Sequence, residues 1–169
     1  MAHLTFVLGG ARSGKSARAL ALAPPPHVFI ATGDALDDEM AERIRLHQEE
    51  RGPTWRLAEA PLDLPSAIRA HASPETTLVI DCLTLWLSNL MHHGWDIDEA
   101  TAGLITALGE APGRAILVSN EIGLGLAPME SLSRRFRDAQ GRLNQRIAAA
   151  ADRVEFVAAG LPLTLKGTP

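Results

Sequence analysis

The chain has 169 residues, 46% of them apolar, and a formal net charge of −4. That length suits one ordinary domain with a substantial core, and that composition excludes a disordered chain. The charge gives no reason to expect a nucleic-acid or membrane partner, and the single cysteine, Cys82, excludes an internal disulfide framework and fits a reducing compartment.

The run "LTFVL" at 4–8 is short, apolar and stopped by Gly9 and Gly10, which predicts a buried strand. Residues 15–23 are good helix formers and end at Pro24, Pro25 and Pro26, a hard stop. "HVFIAT" at 27–32 predicts a second strand closed by Gly33, and 36–51 a helix whose acids lie at its positive end. "TWRLAE" is a short extended piece, and "LPSAIRAHA" a helix with Asp63 as its cap. A third strand is predicted at 76–81, helices through "LWLSNLMHH" and over 98–108, and a fourth strand at 114–119. Residues 131–151 are rich in Ala and Arg and helical. Two last strands, 153–159 and 162–166, turn at Gly160 as a hairpin.

Strands alternate with helices until that last pair. The predicted architecture is α/β over a single domain, 1–169: a mostly parallel sheet with helices on both faces and an antiparallel C-terminal edge strand. Ligands of such sheets bind at the carboxyl ends of the strands. Apolar stretches are broken by charges or prolines well before ~20 residues, so no membrane span is expected. A basic-then-apolar leader is missing at the start, so the expected location is cytoplasmic.

Gly9-x-x-x-x-Gly14-Lys15-Ser16 satisfies the Walker A pattern in the context it needs, strand before and helix after. Its glycines let backbone N–H groups converge on phosphate oxygens. The helix N-terminus adds partial positive charge, Lys15 a point charge for the outer phosphates, and Ser16 a hydroxyl for Mg²⁺. Asp81, closing "TLVID", is the natural Walker B carboxylate for the same metal; the competing reading is a strand-end acid facing solvent.

Arg43, His47 and Arg51 lie at i, i+4 and i+8 and share one helical face. An imidazole flanked by guanidiniums could attack an α-phosphate, but the spacing alone fits a solvated polar face better. "SNEIGLGLAP" follows a strand on the ligand-binding edge, where Asn120 and Glu121 could contact substrate or metal, or simply connect. The arginines of "SRRFRD" read as a solvated face before a phosphate clamp. The remaining histidines sit near element ends, and no zinc-ligand spacing is present.

Six stretches, "GGARSGKS", "ATGDALDDEMAERIRLHQEER", "TWRLAEAP", "DCLTLWLSNL", "SNEIGLGLAP" and "FRDAQGRLNQRIAAAAD", run in order over nearly the whole chain. With them the chain resembles the bifunctional adenosylcobinamide kinase / adenosylcobinamide-phosphate guanylyltransferase family of cobalamin biosynthesis. The resemblance implies a RecA-like P-loop fold and two reactions. A hydroxyl of adenosylcobinamide first takes the γ-phosphoryl group of ATP or GTP. GTP then guanylylates a histidine, releasing pyrophosphate, and the GMP passes to the new phosphate to give adenosylcobinamide-GDP.

The same resemblance puts the nucleophile at His47, reversing the reading from spacing, with Leu46 where some relatives carry a second histidine. It places nucleotide contacts on Gly9, Gly10, Ala11, Arg12, Ser13, Gly14, Lys15 and Ser16; on Ala31, Thr32 and Gly33; on Gln48, Glu49, Glu50 and Arg51; and on Glu59 and Asp81. Glu59 could accept from guanine N1–H and N2–H, which adenine cannot match. A homo-oligomer, a trimer above all, is also implied. The alternatives are a P-loop small-molecule kinase that leaves His47 idle, and a nucleotide-binding switch with no corrinoid turnover. A helix starting near Asp37 would carry His47 roughly 15 Å from its start, so the expectation is a segment that swings on Gly33 and Gly52.

Overall fold

The computed structural model describes residues 3–33 and 55–168. The predicted helix over 36–51, with His47, Gln48, Glu49, Glu50 and Arg51, and the swing expected of it lie outside the described residues.

In chain order the elements are β1 (His3–Gly9), α1 (Lys15–Ala21), β2 (His27–Ala31), β3 (Arg56–Glu59), α2 (Leu64–His71), β4 (Thr77–Asp81), α3 (Leu83–His92), α4 (Ile97–Glu110), β5 (Arg114–Asn120), α5 (Ser131–Ala150), β6 (Arg153–Ala158) and β7 (Leu161–Lys166). The strands form one sheet in the order β3-β2-β4-β5-β1-β6-β7. Six are parallel, and β7 pairs antiparallel with β6 at the edge, as the sequence predicts. The P-loop NTPase fold is thereby established, with β5 inserted between the strand that enters the glycine loop and the strand that ends in Asp81.

Alternation along the strands divides the core in two. Phe6, Leu8, Leu78 and Ile80 face α2, α3, α4 and α5. Val7, Val79 and Val118 face the other way, onto Ala19 of α1. Helices therefore cover both faces. Boundaries shift by a few residues where caps decide them. Asp63 Oδ1 accepts from Ser66 N–H at 3.1 Å, the predicted cap. Asp96 Oδ1 accepts from Glu99 N–H at 2.9 Å and starts α4 one turn-fraction before Asp98. Among the described residues no helix is long and apolar enough to cross a membrane.

One ion pair ties α1 to the sheet. Glu155 on β6 stands opposite Val7 and so faces α1; its side chain is fully buried. Arg18 Nε and a second guanidinium nitrogen donate to its two oxygens at 2.8 and 2.9 Å, and Arg153 donates as well. Hydrogen bonding from Arg18 holds the Glu155 carboxyl below its ordinary range against the cost of burial, and the same bond raises Arg18. A carboxylate with a depressed folded pKa stabilises the fold above its unfolded pKa, and that stabilisation is lost as pH falls through the folded value. Arg18→Ala is therefore expected to cost about 3 kcal/mol at neutral pH, the low end for a broken buried pair because Arg153 remains. Urea unfolding should show the gap between variant and wild type narrowing in acid; a gap constant with pH would mean that packing, not charge, carries the effect.

Candidate functional site

The glycine loop links β1 to α1 through backbone geometry that its sequence dictates. Gly14 adopts φ +94 as the residue before α1, in the left-handed region that favours glycine. A Cβ on Gly9 would lie 2.7 Å from the Val157 carbonyl oxygen, so only glycine fits where β1 leaves the sheet. Ser13 is buried, Gly10, Lys15 and Ser16 are half-buried, and Ala11, Arg12 and Gly14 are exposed. The Lys15 ammonium donates to the Gly10 carbonyl at 3.0 Å, which folds the side chain back onto its own loop.

A second element supports this loop. The β6–β7 hairpin turns through Ala159 (φ 51) and Gly160 (φ 76), both left-handed as a two-residue hairpin requires. The Gly160 N–H donates to the Ser13 carbonyl at 2.7 Å, and a Cβ on Gly14 would sit 3.1 Å from Gly160 Cα. The turn is legible in the sequence; its place against the glycine loop is not, because nothing local connects residues so far apart.

Asp81 ends β4, half-buried, opposite Val118. Val118 belongs to the α1 side of the core, so strand alternation puts the Asp81 carboxylate on the face that carries the glycine loop's helix. Two strand spacings separate β4 from β1, roughly 10 Å. Cys82 follows, buried, its thiol pushed up to about 11 by burial and then by Asp81. A thiol that stays protonated at neutral pH is a packing group rather than a nucleophile.

Residues at the end of β2 play a supporting part. Thr32 is fully buried; its hydroxyl donates to the Cys82 carbonyl at 2.6 Å and accepts the Cys82 N–H at 2.9 Å. The Ala31 carbonyl accepts the Ala60 N–H at 2.8 Å. The Thr32 side chain is thus spent on holding the peptide just after Asp81, while Gly33 remains half-buried at the edge of the described chain. Asn89 on α3 completes this arrangement, donating to the Thr32 and Pro61 carbonyls at 2.7 and 2.9 Å. No local signal marks Asn89, a polar residue inside an apolar helix, as the tie between two loops.

Glu59 ends the edge strand β3, exposed, opposite Ala31 and hence on the α1 face. It lies four strand spacings from β1, roughly 19 Å along the same carboxyl edge. The structure therefore gathers the glycine loop and Asp81 near the centre and leaves Glu59 at the rim.

The loop after β5 is fixed rather than free. Glu121 N–H donates to the Gly9 carbonyl at 3.0 Å, and Asn120 N–H to Thr84 Oγ1 at 2.9 Å. Beneath it, Ser119, Gln140 and Asn144 form a buried hydrogen-bonded triangle with edges of 2.8–2.9 Å. Arg134 donates to the Pro128 carbonyl at 3.0 Å and Arg137 to that of Gly125 at 3.4 Å. Those two arginines of "SRRFRD" brace this loop.

Residues 5–165 match the family described as cobinamide kinase / cobinamide phosphate guanyltransferase. The chain is 48% identical, over 169 residues, to the bifunctional adenosylcobalamin biosynthesis protein CobP of Pseudomonas aeruginosa, covering 97% of this chain and 98% of that one. It is 40% identical over 180 residues to the bifunctional adenosylcobalamin biosynthesis protein CobU of Salmonella typhimurium, covering 96% and 99%. Among solved structures, the protein PH0250 of Pyrococcus horikoshii OT3 superimposes with a TM-score of 0.58 over 99% of this chain and 87% of that chain. At 6% identity that likeness is one of fold alone.

Proposed function

The chain belongs to the cobinamide kinase / cobinamide phosphate guanyltransferase family, and from that premise we propose that it performs both reactions on one nucleotide loop. In the first, the loop of Gly9 to Ser16 holds ATP or GTP, and the free hydroxyl of adenosylcobinamide takes the γ-phosphoryl group, leaving the nucleoside diphosphate. In the second, a neutral His47 imidazole attacks the α-phosphate of GTP and expels pyrophosphate; the resulting phosphoramidate passes GMP to the corrinoid phosphate and frees the histidine. The carrying observation is that Lys15 and Asp81 rise from one carboxyl edge and one sheet face, in a chain that matches the family over 5–165. Ala31, Thr32, Gly33, Gln48, Glu49, Glu50 and Arg51 are assigned to the nucleotide in the same reading, Thr32 through the backbone it fixes.

The donors at hand suit Mg²⁺: a hydroxyl, Ser16, and a carboxylate, Asp81, both hard oxygens. Among the described residues no group of three His, Cys, Asp or Glu could hold a metal ion. Such an ion, when bound, would offset charge on the leaving phosphates. Lys15 and the loop amides orient the triphosphate whether or not it is present.

Glu59 reads the base in this proposal. Glu59→Gln is expected to weaken GTP about tenfold more than ATP, since an amide offers guanine one good acceptor where the carboxylate offers two. Equal losses in nucleotide competition would place Glu59 away from the base. A homo-oligomer, a trimer above all, belongs to the same reading; β7, an edge strand with Leu161, Leu163 and Leu165 exposed by 72%, 62% and 57%, offers an apolar surface that a second copy could cover. A cytoplasmic location belongs to the same reading.

Incubation with GTP labelled in the α-phosphate tests the proposal. Label retained on denatured protein, and released as GMP when adenosylcobinamide phosphate is added, is the expected result. Phosphoryl transfer to adenosylcobinamide with no label on protein would leave a small-molecule kinase, and neither would leave a nucleotide-binding switch.

A further inference from the structure

We propose that the groove between α3, the loop after β5 and the start of α5 is the corrinoid subsite, seating one face of the corrin ring; this rests on the function proposed above. The groove has a volume of about 550 Å³. Its apolar lining includes Met91, Ile122, Leu132 and Phe136, and His92 and Arg137 stand with them as polar groups. Every wall follows the carboxyl end of β4 or β5, the edge from which the glycine loop rises. Ile122 is the neighbour of Glu121, whose N–H is bonded to Gly9, so the groove opens one residue from the start of that loop. An acceptor bound there can extend its arm toward the γ-phosphate without its bulk entering the nucleotide site.

The lining fits the ligand's chemistry. A corrin is a broad, nearly flat ring with apolar faces and a rim of amide side chains. The floor of the groove offers hydrocarbon and sulfur, and its polar groups, a guanidinium, an imidazole and the hydroxyls of Ser88 and Ser133, can donate to amide carbonyls. Among the described residues no carboxylate lines it, which disfavours a cation or a basic peptide. Beyond the groove the apolar surface continues onto Leu124, Leu126 and Met129, exposed by 83%, 97% and 98%. Three large side chains so nearly free in water mark a binding surface rather than a random one. The loop that presents them is held in shape by Arg134 and Arg137 on its carbonyls and by Glu121 on the Gly123 N–H. The ledge is therefore built outward, and it adds the width that a ring larger than the groove needs.

Equilibrium dialysis with dicyanocobinamide, a coloured corrinoid that needs no nucleotide, tests this directly on the full chain. Leu132→Glu puts a charge on the groove wall at the start of α5, where an acid suits the helix dipole. Leu126→Glu changes a side chain with no packing role in the fold. Each is expected to weaken dicyanocobinamide binding at least about tenfold, and to raise the KM for adenosylcobinamide in phosphoryl transfer in parallel, with the KM for the nucleotide within about twofold. Wild-type protein that does not bind the corrinoid, or variants that bind it as tightly as wild type, would overturn the subsite. So would a Leu126→Glu protein whose corrinoid affinity falls only because its mass in solution falls, since the ledge would then be covered by a second copy of the chain. If dicyanocobinamide binds in the groove yet no phosphoryl transfer follows, the subsite stands and the proposed function fails.

Discussion

Lys15→Ala is expected to lower both phosphoryl transfer and self-guanylylation by about 10²–10³-fold or more. Phosphoryl transfer rests almost wholly on positioning and charge, and both reactions begin with a triphosphate on the same loop. In the structure the Lys15 ammonium donates to the Gly10 carbonyl at 3.0 Å, which keeps it at its own glycine loop. No other lysine is near in sequence, and Arg12 on the loop is exposed. The fold should tolerate the change, because Lys15 is half-buried at the first position of α1 and alanine favours a helix. Thermal unfolding unchanged from wild type, with transfer of γ-label to adenosylcobinamide and of α-label to protein both lost, is the outcome that supports a shared site. Full α-labelling of the variant at saturating GTP would require a second nucleotide site.

His47→Ala separates the two reactions. Guanylyl transfer needs a nucleophile and should fall by at least about 10³-fold, whereas the kinase step needs no covalent histidine and should persist. The wild-type adduct should be labile in acid and stable in base, as a phosphoramidate is and a serine phosphoester is not. A labelled His47→Ala protein would assign the nucleophile elsewhere. Spacing of Arg43, His47 and Arg51 alone does not reach this assignment; it comes from the resemblance of the run from Arg43 to Arg51 to the family's pattern, and the labelling experiment is what tests it.

How much of this was legible can be read from individual residues. The Walker loop is local: a strand stopped by Gly9, a left-handed Gly14 and a helix starting at Lys15 are all specified within eight positions. The caps Asp63 and Asp96 bond three residues ahead, and the C-terminal hairpin closes over Ala159 and Gly160. The predicted solvated face of "SRRFRD" is exposed at Arg134 and half-buried at Arg137, and both guanidiniums have work within the chain, six and twelve residues back. Thr32 reads as a strand-end polar residue beside a ligand; folding turns its hydroxyl onto Cys82, fifty positions on.

What the sequence by itself determined is the alternation of strands and helices, the parallel sheet with its antiparallel edge and the glycine loop between β1 and α1. Each depends on hydrophobic period or on turn residues a few positions apart, so each is written locally. Only the tertiary structure decided that β5 separates β1 from β4, and that Asp81 and Glu59 share α1's side of the sheet at different distances from the loop. It also decided that Glu155 meets Arg18 across 137 positions, that Gly160 closes on Ser13, and that α3 and α5 leave an apolar groove beside the loop. Strand order is fixed by which apolar faces bury best together, a property of the whole sheet that no window of sequence contains.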